Sequence, residues 1–243
     1  MRFKSRFSVF AGLFLAFLAL PDMALAARAQ VPSAPQLGES ITLPKGKTEV
    51  GFGGDIIQRQ DGDTWYATPA LYLRHGLTDD LELIPLGLRW RIVNIPAKKY
   101  QMALKARLAG ANDSSSGREF VSWEAAAEGK LRMDDEMAFN FYAGNYRSEY
   151  SGGFSNAFEV SAGILLSFGP PAAMEIVYGH QWREGMGTAQ GDAIGVTLIG
   201  NPEPGTQIYI ATTSNLLTHN DSFRFYHIGN INQIYSAGIK WVF

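Results

Sequence analysis

Residues 100–109 alternate without a break: Tyr100, Met102, Leu104, Ala106 and Leu108 are apolar, and Gln101, Ala103, Lys105, Arg107 and Ala109 between them are polar or small. The same period recurs in Val121, Trp123, Ala125 and Ala127 against Ser122, Glu124, Ala126 and Glu128. It returns at 157–168, where Phe158, Val160, Ala162, Ile164, Leu166 and Phe168 alternate with small or polar neighbours, and again at 193–198. Successive side chains of a β-strand point to opposite faces, so each stretch predicts a strand with one apolar face. Such segments begin near residues 48, 64, 81, 100, 119, 136, 157, 173, 191, 206 and 233, with turn residues between them. Several run ten to twelve residues, whereas strands of soluble sandwiches average about five or six. A tilted strand of about ten residues crosses a bilayer. The chain therefore reads as all-β, a transmembrane antiparallel up-and-down β-barrel.

Eleven segments cannot close a single-chain bacterial barrel, because both termini lie on one side and the strand number is even. Either Pro85-Leu86-Gly87 divides residues 81–93 into two strands too short for ordinary crossings, or residues 222–229 supply another. The first choice puts the tight turns at Asp134-Asp135 and Gly169-Pro170-Pro171 on the periplasmic side. Twelve strands are expected, with ten as the alternative. The last segment, QIYSAGIKWVF, stops in mid-strand on a bare aromatic. The pattern Tyr235-x-Ala237-x-Ile239-x-Trp241-x-Phe243 resembles the terminal assembly signal of bacterial outer-membrane barrels, whose last strand pairs with the first. Trp65, Trp90, Phe120, Trp123, Phe168, Trp182, Phe223, Trp241 and Phe243 fall mostly near segment ends, as aromatic girdles at the two membrane interfaces require.

The first residues add a destination. Arg2, Lys4 and Arg6 precede a 14-residue apolar run at 7–20, followed by Pro21 and the small-x-small site Ala24-Leu25-Ala26. This is the pattern of a secretory signal peptide, with a second cleavage site after Ala29, and the run is too short for a membrane-spanning helix. The expected organisation is a signal peptide at 1–26, a short periplasmic lead at 27–46 and a barrel at 47–243. Export together with the terminal strand points to the outer membrane of a Gram-negative cell. Outer-membrane lipid, lipopolysaccharide and the barrel-assembly machinery would be its partners there. Removing residues 1–26 leaves 18 Lys and Arg against 22 Asp and Glu, a net charge of −4 without a basic stripe, which argues against nucleic acid. The absence of cysteine excludes disulfides and thiolate sites. No ligand spacing suggests a metal and no Gly-rich loop opens a helix for phosphate, so no cofactor is expected.

Two stretches carry a finer likeness. LPKGKTEVGFG (43–53) followed by LYLRHGLTDDLEL (71–83) resembles the start of the porin-like proteins grouped as the phenol-degradation MetA-pathway transporters, in which a Gly-Leu-Thr-Asp turn joins two early strands. The resemblance implies an outer-membrane barrel passing small organic solutes and assigns no functional residue. The alternation itself identifies the inner face. Gly163, Gly179, Gly195, Thr197, Ala211, Thr213, Ser236 and Gly238 leave space in the later half. Arg89, Arg91, Lys105 and Arg107 point inward from the earlier half with Glu124 and Glu128 on the next strand, and a loop centred near 114–115 would set Lys105 opposite Glu124. Four bases only partly offset by two acids would favour small anionic solutes in a low-dielectric passage, and the other reading of the same residues is an ion-pair network that fills the barrel. A hydrolase is the rival class: His219, Asp221 and Ser222 lie together with His227 nearby, but a separation of three positions from His219 to Ser222 sets them on opposite strand faces, and His180 has no Ser two residues away. A structural anchor without transport is the third.

Overall fold

The structure is a computed structural model that describes residues 35–59, 65–113, 118–150, 153–185, 190–214 and 231–243. The chain divides into residues 1–32 and a compact unit, Ser33–Phe243, and all described residues belong to the latter. A single helical turn, α1 (Pro35–Gly38), precedes β1 (Thr48–Arg59), β2 (Trp65–Gly76), β3 (Leu81–Ile84), β4 (Gly87–Ile95) and β5 (Tyr100–Asp113). The remaining strands are β6 (Arg118–Arg132), β7 (Met137–Tyr150), β8 (Gly153–Ser167), β9 (Ala172–Gly185), β10 (Gln190–Glu203), β11 (Thr206–Ser214) and β12 (Ile231–Val242). They form a closed antiparallel barrel in which every strand pairs with its sequence neighbours and β12 pairs with β1.

Twelve strands arise as expected, and the twelfth comes from the division at Pro85-Leu86. Leu86 takes the left-handed conformation (φ 55°) that turns the chain between β3 and β4. Closure uses the terminal aromatic: Phe243 N–H donates to Thr48 O at 2.9 Å and Thr48 N–H to Phe243 O at 3.2 Å, directly beyond the Glu49–Val242 pair. The final residue is thus the last rung of the ladder, and no strand edge is left at the seam. Turn chemistry sets the short connections. Thr78 Oγ1, within Gly76-Leu77-Thr78-Asp79, accepts from the N–H groups of Asp80 (3.2 Å) and Leu81 (3.0 Å). Asp134 Oδ1 accepts from those of Glu136 and Met137, both at 2.8 Å.

Burial is inverted relative to a soluble protein. Phe52, Leu71, Leu73, Leu88, Leu104, Phe158 and Ile194 are exposed, whereas Glu82, Arg89, Lys105, Arg107, Glu124, Glu159 and Gln181 are buried. An apolar band around a polar interior suits hydrocarbon outside. Trp90, Phe168, Trp182 and Phe243 stand exposed on the outer face, and Phe158 packs on Trp182 with centroids 5.7 Å apart. The side chains of Trp65 and Phe120, and all of Phe223, lie outside the described residues.

The wall is uneven because β3 has only four residues. β3 meets β2 only at His75–Leu83 and Gly76–Glu82, and Leu108 N–H bonds to Leu86 O at the hairpin tip. Beyond that level, among the described residues, the edges of β2 and β5 that face this hairpin pair with no strand. Exposed Leu71, Leu73, Leu86, Leu88 and Leu108 surround the notch.

Candidate functional site

The inner face of β1–β6 carries one continuous chain of ion pairs. Glu49 meets Arg74 (3.5 Å), Arg74 meets Glu82 (3.0 Å), Glu82 meets Arg89 (2.5 Å) and Arg89 meets Glu128 (2.7 Å). Lys105 bridges Glu128 (2.9 Å) and Glu124 (2.8 Å), and Arg107 Nε donates to Glu124. Tyr142 OH also donates to Glu124 at 2.9 Å, with its ring 5.3 Å from the Lys105 ammonium. Four acids thus alternate with four bases. Pairing is what makes their burial tolerable, since a buried charge without a partner costs several kcal/mol.

All six inward residues expected from the alternation lie on this face, with two corrections. The register pairs Arg107 with Glu124 and Lys105 with Ala126, so Lys105 reaches Glu124 diagonally instead of facing it. Arg91 stands apart: it pairs with exposed Asp80 at 2.6 Å and donates to Ser40 Oγ. The expected surplus of positive charge on this wall disappears because Glu49 and Glu82 enter with Arg74, and Asp80 pairs with Arg91. For the two glutamates the signal was the period of two, which aligns Glu82 with buried Ile84 in LELI. Their partners come from neighbouring strands, Arg74 on β2 and Arg89 on β4.

A further occupant is the segment before β1, expected as a short periplasmic lead. Leu37 is 1% exposed and packs on Ala138, Leu165, Ala173 and Ile199 of the inner wall. Gln36 and Asn201 exchange amide hydrogen bonds of 2.6 and 3.2 Å, and Lys130 Nζ donates to the carbonyls of Gln36 and Glu39. Nearer β1, Ile41 N–H donates to Gln101 Oε1 (2.8 Å) and Leu43 N–H to Glu82 Oε2 (2.7 Å). Residues 35–43 therefore form a plug at the end of the barrel where β1 begins and β12 ends. Glu39 remains open to the lumen water although protein surrounds it on most sides. That desolvation, opposed mainly by Lys130, raises its carboxyl above the ordinary value.

Beside the plug lies a cavity of about 430 Å³, bounded by Gln36, Ser40 and Ile41 on one side and by Gly195, Thr197, Ala211, Thr213, Ser236 and Lys240 on the other. Five of the eight small residues expected to leave space line it, whereas Gly163, Gly179 and Gly238 do not, and the ring of Tyr209 fills the place beside Gly238. The rival catalytic candidates His219, Asp221, Ser222 and His227 lie outside the described residues. His180 faces outward, bonded through Nδ1 to Asp192 at 2.7 Å, with exposed Tyr178 donating to the same carboxylate at 2.8 Å. Among the described residues no group of three or more His, Asp or Glu side chains could hold a metal.

No family model matches the sequence, and no curated protein does. Solved structures resemble it in shape. An outer membrane channel from Pseudomonas putida F1 is 12% identical, covering 90% of this chain and 100% of its own, with a TM-score of 0.47. A porin, KdgM, described in complex with disordered oligogalacturonate, is 9% identical over 80% of this chain and 99% of its own (TM-score 0.44). Outer-membrane expressed OmpT of Vibrio cholerae is 6% identical over 84% of this chain and 100% of its own (TM-score 0.42).

Proposed function

We propose that this chain is an outer-membrane barrel through which small solutes pass passively. The observation that carries the reading is the cavity between plug and small-residue wall. A barrel stabilised only as an anchor has no need of Gly, Ala, Ser and Thr along half its inner face, since larger side chains would fill the space and add packing. The Gly-Leu-Thr-Asp turn between β2 and β3 supports the narrower likeness to the phenol-degradation group, with small organic solutes as cargo. Plug and paired wall together make the passage narrow. The protein refolded into planar bilayers should give small, discrete conductance steps, and silence at every voltage, with no solute flux into liposomes, would leave an anchor in place of a channel.

The notch favours a second route for apolar cargo. A solute dissolved in the membrane could reach the lumen between β2 and β5, across the leucine rim. Bridging the two edges with a disulfide between introduced cysteines should block uptake by this route while leaving ion conductance unchanged.

A further inference from the structure

We propose that the passage beside the plug selects small zwitterionic solutes, with Lys240 receiving the anionic group and Glu39 and Glu175 the cationic one. The inference rests on the channel reading and names its substrate class. Of the charged residues around the cavity, Glu49, Arg74, Arg89 and Glu128 are members of the wall network. The other four are Lys240, Lys130, Glu39 and Glu175. Lys130 is held by two plug carbonyls and its charge partly offsets Glu39 and Glu175, which leaves Lys240 and the two carboxylates to meet a solute.

Each of the three has spare capacity. The Lys240 ammonium lies 4.8 Å from the Tyr72 ring centroid and 5.7 Å from that of Tyr209. Its nearest carboxylate oxygen, on Glu49, is 3.9 Å away, too far for a hydrogen bond. Glu175 accepts from Asn140 Nδ2 on Oε1 at 2.7 Å. The Glu39 carboxylate takes no hydrogen bond or ion pair among the described residues. Lys240 lies on β12 and Glu175 on β9, three positions around the ring, with Glu39 on the plug.

The charges therefore work against a solute of one sign. An anion gains from Lys240 and meets two carboxylates; a cation gains from the carboxylates and meets Lys240; a neutral solute displaces the water around all three. A molecule carrying both charges a few bonds apart satisfies both sides, and protein around the cavity strengthens each term over its value in bulk water.

Liposome swelling with β-alanine, 3-hydroxypropanamide, propanoate and propylammonium, solutes of nearly equal size, tests the selection. Wild type should admit β-alanine several-fold faster than the neutral amide and faster than either ion. Lys240→Gln should lower β-alanine flux and move the reversal potential toward cations, and Glu175→Gln, which keeps the bond with Asn140, should move it toward anions. Heat-modifiable migration checks that each variant is folded. Equal fluxes of β-alanine and the amide in wild type, or folded variants that change neither flux nor reversal potential, would overturn the selection while leaving the channel. Absence of flux for every solute would overturn the channel reading and this inference with it.

Discussion

Tyr209 donates a hydrogen bond of 2.7 Å to the hydroxyl of Tyr72 from the opposite side of the seam at which the barrel closes. The two rings belong to β11 and β2 and meet edge to face, with centroids 6.0 Å apart, over β12 and β1 between them. They reach each other because the seam is lined with glycine. A Cβ on Gly238 would lie 2.5 Å from Tyr209 Oη, and one on Gly53 2.7 Å from the same atom. First and last strands are thus locked by an aromatic pair from their outer neighbours.

The seam predicts a coupled pair of mutations. Gly238→Ala should destabilise the folded barrel by about 1–3 kcal/mol through overpacking, and in a Tyr209→Ala background the same change should cost almost nothing. The check is the temperature at which heat-modifiable migration is lost in the four combinations; additive shifts would separate the glycine from the ring.

The wall network predicts a steep contrast between buried and rim pairs. Glu124→Gln leaves Lys105 and Arg107 buried with one acceptor fewer and should cost about 3–5 kcal/mol. Arg91→Gln removes a pair whose acid is exposed and should cost about 1 kcal/mol or less. Denaturant midpoints of the two refolded variants measure the difference.

The plug predicts a change in conductance that leaves the barrel intact. Leu37→Asp places a charge among Ala138, Leu165, Ala173 and Ile199, and should expel α1 while the strands stay paired. Step size in planar bilayers should rise, with heat-modifiable migration retained. An unchanged step would show that the helical turn does not limit the passage.

Glu39 predicts a pH response. Its raised carboxyl lies within electrostatic reach of Lys130, Glu49, Arg74 and Lys240, and its surroundings favour the neutral form more than water does. Keeping it ionised therefore weakens the plug above its folded-state pKa, and the penalty vanishes below the ordinary carboxylate pKa. As pH falls through that window, the reversal potential should move toward anions, and Glu39→Gln should remove the step.

Phe243 predicts an assembly defect. Deleting it removes both backbone bonds to Thr48 and should lower the amount of folded protein in the membrane with export unaltered, as read by fractionation and heat-modifiable migration.

Much of the fold was legible in the chain because a β-barrel is written locally. Alternation at Tyr100–Leu108 identifies the lipid face from one strand alone, Pro85-Leu86 stops the extended backbone between β3 and β4, and Phe243 marks the closing rung, so strand number, topology and the inward set Arg89, Arg91, Lys105, Arg107, Glu124 and Glu128 follow without tertiary information. What only the tertiary structure decided depends on side-chain reach and register across the closed sheet. Glu49 and Glu82 enter the expected basic wall together with Arg74, and Asp80 takes up Arg91, so the wall is balanced only once these side chains meet, and Lys105 reaches Glu124 diagonally because of the β5–β6 register. The plug is the clearest case: Gln36 and Leu37 carry no periodic signal, and their places against Asn201 and Ile199 exist only once the closed barrel provides an interior to fill.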